Sequence, residues 1–190
     1  MVAMLPLPHI DGGFKTILAD PPWSYEQRAA GPHGRGAAKH YACMSVDEIK
    51  EMPIRELSSD DSICLLWVTN SHLPEGFGVL ISWGFDYKTC ATWIKNRMGL
   101  GYWLRGKTEH LLIGVKGNPR PSYIGHTTLS TLVLDDTYVL SGDVTEHSRK
   151  PDSSYELAES IGQPPRLELF ARRARKGWTQ WGLEAPTEIQ

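Results

Sequence analysis

The tetrapeptide Asp20-Pro21-Pro22-Trp23 stands directly behind a short β-rich run, Thr16-Ile17-Leu18-Ala19. Two successive prolines cannot donate to a strand ladder, so the strand ends at Asp20 and a loop begins there. A carboxylate at a strand end, followed by carbonyls whose approach is fixed by proline rings, suits one kind of chemistry in particular. The exocyclic amino group of a nucleobase is a poor nucleophile, because its lone pair is delocalised into the ring. Asp20 accepting one N–H, and a carbonyl of the Pro21-Pro22 segment accepting the other, would draw that lone pair out of conjugation with little reorganisation. Trp23 would offer a flat face for the base to stack on once it has left its helix. An Asp-Pro-Pro turn beside a core tryptophan has the same sequence, so the surrounding chain must decide between the two.

Apolar runs alternate with amphipathic stretches around this motif, the pattern of an α/β domain. Ile63 to Thr69, Tyr87 to Ile94, Glu109 to Val115, Arg166 to Phe170 and Trp178 to Trp181 read as further strands. Ser45-Val46-Asp47-Glu48 and Ser153-Ser154-Tyr155-Glu156 each have capping-box spacing and predict helices over 46–52 and from Ser153 to near Gly162. Leu73 to Trp83 is a third helix, ended by Gly84. Ligands of an open α/β sheet sit outside the carboxyl ends of its strands, which is where Asp20 falls. Two glycine-bearing stretches, Ser24–His40 and Asn96–Gly106, are long for idle connections. Ser24–His40 and Val144–Pro151 are expected to close over the site, with glycines as hinges. The chain carries no P-loop and no G-x-G-x-x-G fingerprint, which disfavours a nucleotide-phosphate site.

The 190 residues suit one domain spanning 1–190, and 41% hydrophobic with 22% charged residues is an ordinary globular balance. No apolar run approaches the roughly 18 residues of a membrane span, and Met1 to His9 lacks the pattern of a signal peptide. Cys43, Cys64 and Cys90 are an odd number without C-x-x-C spacing, which argues against a disulfide framework or a zinc site. A reducing, cytoplasmic setting is expected, with no metal. The net charge of −2 hides an uneven distribution. Arg28, Arg35 and Lys39 form one basic stretch; Lys88, Lys95, Arg97, Arg105 and Lys107 form a second; Arg166, Arg172, Arg173, Arg175 and Lys176 form a third. Acids gather instead at Asp47, Glu48, Glu51, Glu56, Asp60 and Asp61. One basic face on a nucleic-acid enzyme would look like this, and so would a set of solvated surface faces.

Five stretches occur in order: Ile17-Leu-Ala-Asp-Pro-Pro-Trp23, Leu66-Trp-Val-Thr69, Gly106-Lys-Thr-Glu-His-Leu-Leu-Ile-Gly-Val-Lys-Gly-Asn-Pro119, Ser148-Arg-Lys-Pro-Asp152 and Leu167-Glu-Leu-Phe-Ala-Arg172. Together they resemble the MT-A family of S-adenosylmethionine-dependent adenine N(6)-methyltransferases, over about Phe14 to Gly182. The resemblance implies a Rossmann-like class I methyltransferase sheet in permuted order, with the D-P-P-W ahead of the cofactor strand, and S-adenosyl-L-methionine as cofactor. By position, Asp20, Pro21 and Pro22 would grip the target amino group with Trp23 beside the base. Tyr41, Glu109 and His110 match positions lining the mouth of the site. Lys150 matches a lysine that pairs with the cofactor's methionine carboxylate, and Arg172 an arginine that reaches its ribose. The C-terminal end departs from the pattern: Arg173-Ala174-Arg175 replaces Pro-His-Asn, and Leu183-Glu184 replaces Asn-Gln. Arg175 and Glu184 are the candidates to take over those contacts, and Asp11 is a candidate for the cofactor's adenine.

The expected reaction is direct methyl transfer to the N(6) amino group of adenine in DNA, since so compact a chain resembles the bacterial and phage members. Arg105, Lys107, Arg120 and the Arg172–Lys176 cluster would bind phosphates, with Tyr102 and Trp103 stacking or wedging. RNA would meet the same contacts, and a target already unpaired would react more readily. A non-catalytic nucleic-acid-binding subunit is the alternative from another class, although such partners tend to lose the tetrapeptide. A homodimer, or a heterodimer with a related subunit, would join two basic faces.

Overall fold

The computed structural model describes residues 6–24, 43–99, 103–119, 132–134 and 150–185. The run before the tetrapeptide is a strand, β1 (Phe14–Ala19), buried at every position but Lys15. After it come α1 (Val46–Lys50), α2 (Ile54–Leu57), β2 (Ser58–Thr69), a 3-10 turn (Asn70–His72) and α3 (Leu73–Ser82). The chain continues through β3 (Asp86–Ile94), β4 (Thr108–Lys116), β5 (Leu132–Leu134), α4 (Ser153–Ile161), β6 (Arg166–Leu169) and β7 (Thr179–Trp181). The strands form one sheet in the order β5-β3-β4-β2-β1-β6-β7. β1 runs parallel to both β2 and β6, β6 to β7, and β3 to β5. β4 runs antiparallel to β2 and β3. β1 and β6 lie side by side although most of the chain separates them, which is the permuted Rossmann-like order expected.

Helices on both faces explain why the central strands read as unbroken apolar runs rather than alternating ones. Successive residues of β2 feed two cores. Cys64, Leu66 and Val68 join Ile17, Ala19, Ile49, Val79 and Trp83 on the α1–α3 side. Leu65 and Trp67 join Leu18, Trp93, Leu111, Tyr155, Ala158 and Trp178 on the α4 side. β2 begins at Ser58, earlier than the apolar run suggests, because its polar first turn continues the chain out of α2. α2, the 3-10 turn and β5 are too short to leave a periodic signal. No helix among the described residues is long and apolar enough to cross a membrane.

The two expected capping boxes part company. At α1 both reciprocal bonds form, Glu48 N to Ser45 Oγ at 3.2 Å and Ser45 N to Glu48 Oε2 at 2.7 Å. At α4 the box is absent, because Ser153 is the first helical residue rather than the cap. The cap is Asp152, whose backbone is already helical and whose carboxylate is paired with Arg173. α3 ends as expected, with Gly84 at φ 84°, a left-handed turn that a side chain would strain. The α1 cap also supports the tetrapeptide, since Met44 beside it is bridged to Trp23. Replacing Ser45 by alanine should lower the unfolding free energy by about 1 kcal/mol. A urea midpoint unchanged from wild type would show that the box carries no weight.

Candidate active site

β1, β2 and β6 bring their carboxyl ends to one edge, with Ala19 paired to Leu66 on one side and Leu169 on the other. The antiparallel β4 delivers its amino end to the same edge, with Glu109 opposite Thr69 and Trp93. Asp20 therefore leaves the sheet beside Trp67 and near Glu109, in the crevice where open α/β sheets take ligands. Lys150, which precedes α4, reaches across this edge. Its Nζ donates to Oδ1 and Oδ2 of Asp20, both at 2.8 Å, and lies 3.2 Å from Glu109 Oε2. The ammonium also sits 5.5 Å over the Trp67 ring, a cation–π contact. The other oxygen of Glu109 accepts from Lys95.

Asp20, Lys150, Glu109 and Lys95 thus form one row of alternating charge. Their side chains are 24%, 13%, 11% and 29% exposed, so each charge is largely removed from water and is stabilised by its neighbours. Burial by itself would raise the Glu109 carboxyl, but Lys150 and Lys95 outweigh it and hold the pKa below the ordinary carboxylate value. Burial opposes the charge on Lys150 too, and Asp20 with Glu109 raises its pKa above that of a free lysine.

The tetrapeptide is fixed by the other face of the sheet. Trp23 is 6% exposed, its Nε1 donates to Trp67 O at 3.0 Å, and the His72 ring stacks on it at 5.2 Å. This corrects the expectation of an open stacking face: the ring belongs to the core with Ile49 and Trp83. His72 Nε2 lies 3.1 Å from Ser24 O, so it carries the proton, and Nδ1 accepts from the Thr69 hydroxyl at 3.0 Å. Pro21 O accepts from Trp23 N and Pro22 O from Met44 N, both at 2.9 Å. Each carbonyl keeps one lone pair, so a proline carbonyl gripping an amino group would be shared with the backbone.

Several residues expected at the site are placed elsewhere. His110, next to Glu109, points to the opposite face, as strand alternation requires. It lies 2.8 Å from Asn70 Oδ1 and 3.1 Å from Thr92 Oγ1, and burial, opposed by Glu109, lowers its pKa and favours the neutral ring. Arg175 donates to both oxygens of Glu159, at 2.9 and 3.3 Å, and lies 4.5 Å over the Tyr155 ring. It clamps α4, so the cofactor contact expected of it is replaced by a structural one. Arg105 is exposed on the β3–β4 connection, where its Nε donates to Gly99 O at 3.1 Å and leaves the guanidinium open to solvent. Arg172 and Glu184 do meet, at 3.9 Å. Asp11 is exposed in the turn before β1. Tyr41, Tyr102, Arg120 and nearly all of the two expected closing loops lie outside the described residues.

Reasoning from sequence missed Lys95, Trp67, His72 and Glu168. Glu168 is buried in β6, with Oε1 accepting from the Tyr155 hydroxyl at 2.5 Å and Oε2 without a hydrogen-bond partner. Burial raises its pKa against the Tyr155 bond that lowers it. An acid inside the otherwise apolar Leu167-Glu168-Leu169 was the available signal.

A permuted Rossmann-like sheet with D-P-P-W and a lysine–carboxylate row at its carboxyl edge defines the class I methyltransferase architecture. The MT-A70 family profile matches residues 14–184, and the chain belongs to that family, whose N(6)-adenosine methyltransferases use S-adenosylmethionine as methyl donor. It is 34% identical over 182 residues to the probable N(6)-adenosine-methyltransferase MT-A70-like of Oryza sativa, covering 90% of this chain and 23% of that protein. It is 31% identical to the human N(6)-adenosine-methyltransferase catalytic subunit METTL3, covering 85% of this chain and 26% of that one. The type II methyltransferase M.MunI of a Mycoplasma species is 28% identical, covering 91% of this chain and 78% of its own. The chain thus spans about a quarter of the N(6)-adenosine relatives and most of M.MunI.

The charge row gives a stability prediction. Glu109 has a depressed folded pKa, so its contribution is present above the ordinary carboxylate range and is lost as pH falls through the folded value. Lys150→Met should lower the unfolding free energy by on the order of 2 kcal/mol near pH 7. The gap should narrow well below the ordinary carboxylate range of about pH 4, where the depressed Glu109 carboxyl is at last protonated in wild type too. Urea unfolding at both pH values checks this, and an equal deficit at each would show that charge pairing is not its source.

Proposed function

We propose that this chain transfers the methyl group of S-adenosylmethionine to the N(6) amino group of adenine in DNA. The observation that carries this reading is the lysine-held carboxylate of Asp20 at the junction of β1, β2 and β6. The residues present suit a zwitterionic amino-acid moiety. Lys150 is a cation for its carboxylate, Arg172 and Glu184 suit ribose hydroxyls, and the buried free oxygen of Glu168 shows an acid in the same strand end. When bound, S-adenosylmethionine supplies a sulfonium-activated methyl group. Lys150 has three N–H groups, and in this structure all are directed at Asp20 and Glu109. A carboxylate drawing Lys150 toward itself would free an oxygen of Asp20 to accept an amino N–H. Asp20 then localises the lone pair while the loop, locked by Trp23 and His72, holds it still.

The likeness to M.MunI over most of both chains supports DNA; the N(6)-adenosine relatives support RNA. The β3–β4 connection suits either, because Trp103 is 99% exposed beside Leu104, Arg97 and Lys107. A second copy or a related subunit would extend this face. A cytoplasmic setting is part of this reading, since three cysteines without C-x-x-C spacing do not suggest a disulfide framework.

Labelled methyl transfer to matched DNA and RNA oligonucleotides, single- and double-stranded, tests the reading at fixed salt. DNA should be preferred, with unpaired adenines faster than paired ones. Preference for RNA beyond about tenfold, or roughly 1.4 kcal/mol, would reverse the substrate. Trp103→Ala should raise KM for the nucleic acid several-fold with kcat nearly unchanged; an unaltered KM would remove that loop from the interface. Asp20→Ala should abolish transfer while leaving affinity for S-adenosylhomocysteine within a few-fold, and full activity would sink the mechanism.

A further inference from the structure

We propose that Lys95 is a positioning residue for the methyl donor's site, holding Glu109 as the fixed counter-ion that keeps Lys150 over Trp67 when Lys150 lets go of Asp20. The proposal rests on the reading of this edge as the S-adenosylmethionine site. Glu109 is the middle of the charge row, and its two oxygens are divided between two cations. Oε2 faces Lys150 at 3.2 Å, and Oε1 accepts from Lys95. Among the described residues, Lys95 pairs with no other acid of the site. It follows directly on β3, where its backbone N–H donates to Lys107 O at 2.8 Å and its ammonium lies 5.3 Å over the Trp93 ring. Backbone, ring and carboxylate therefore fix it independently of the segment that carries Lys150.

The consequence follows from what happens when a ligand carboxylate competes for Lys150. Two bonds to Asp20 open, and the remaining hold on the ammonium among the described residues is Glu109 with the Trp67 face. That hold requires Glu109 to be ionised although its residue is only 8% exposed. The groups facing it are Lys95 from β3, Lys150 from the segment before α4 and, through Lys150, Asp20 from β1; His110 is its neighbour on β4. Lys150 is the cation the ligand would draw away, so Lys95 is the one that keeps Glu109 charged throughout. Without Lys95, burial wins more easily, Glu109 takes a proton at higher pH, and Lys150 loses its anchor.

The test is calorimetric titration of S-adenosylhomocysteine into wild type, Lys95→Met, Lys95→Arg, Glu109→Gln and the Lys95→Met/Glu109→Gln double variant, from about pH 8 to about pH 5.5. Wild-type affinity should change little across the range on account of Glu109. Lys95→Met should bind within a few-fold of wild type at the alkaline end and lose about tenfold relative to it at the acid end. Lys95→Arg should restore the wild-type profile, because a guanidinium keeps the charge. In the Glu109→Gln background, Lys95→Met should add no further loss. Lys95→Gln serves in place of the methionine variant if that one does not fold. A Lys95→Met profile parallel to wild type, an arginine variant as weak as methionine, or a full additional loss in the double variant would overturn the proposal alone. Wild type failing to bind S-adenosylhomocysteine would overturn the site reading and this proposal with it.

Discussion

The Lys150 ammonium has three N–H groups and almost no water, and the carboxyl edge of the sheet is built to satisfy both conditions. Two acids and an indole face surround it, drawn from β1, β2 and β4. No single segment could supply these partners. Asp20 has to leave β1 at the level where β2 still presents Trp67, and β4 has to run backwards so that its first residues reach the same edge. A parallel β4 would place Glu109 at the far end of the sheet. The reversed strand is thus a requirement of the charge row rather than an irregularity of the fold.

The sheet also divides labour between its faces. On the α4 side lie the groups that can exchange partners: Lys150, Glu109, Lys95 and, deeper, Glu168 with Tyr155. On the α1–α3 side lie groups that hold still. Trp23 is anchored by its indole N–H, His72 spans Thr69 and Ser24, and His110 is tied between Thr92 and Asn70. Catalysis by positioning, as proposed for this edge, would need both kinds, since a carboxylate that is to meet an amino group in one orientation gains from a backbone that does not move. Trp23 serves that end from within the core, by fixing where Asp20 points.

The strands and the strand-end position of Asp20 were legible in the sequence because both are local: apolar runs, two prolines and a glycine stop. The pairing of Asp20 with Lys150 was not legible from spacing, since 130 residues separate them. Resemblance to a family brought Lys150 to the site only as a partner for the cofactor's carboxylate, and the ion pair with Asp20 emerges from the fold. Glu109 and His110 looked equivalent as neighbours, and a strand sends neighbours to opposite faces, which separates them. Lys95 stands in a basic stretch where every lysine looks solvated, and only the register opposite Lys107 turns it inward. Arg175, expected at the cofactor, and the cap of α4, expected at Ser153 and found at Asp152, differ from the sequence reading for one reason. Charged side chains near a helix start choose partners in three dimensions, and Glu159 and Arg173 won them.

The same competition bears on how a chain with a net charge of −2 would hold the anionic polymer of the proposed reaction. Charges that face one another inside the row cancel locally, so Lys95 and Lys150 contribute little field beyond the edge. Arg173 and Arg175 are likewise neutralised by Asp152 and Glu159 against α4. The field available to phosphates would come from cations that the fold leaves facing outward, such as Arg97 on the connection that carries the exposed Trp103. Those residues sit on the connection between β3 and β4, the two strands that also deliver Lys95 and Glu109. One hairpin therefore carries an outward face suited to a polyanion and an inward face that fixes the charge of the reacting edge. Under the proposed function, a strand pair shared in this way would relate where the polymer lies to where the amino group is presented.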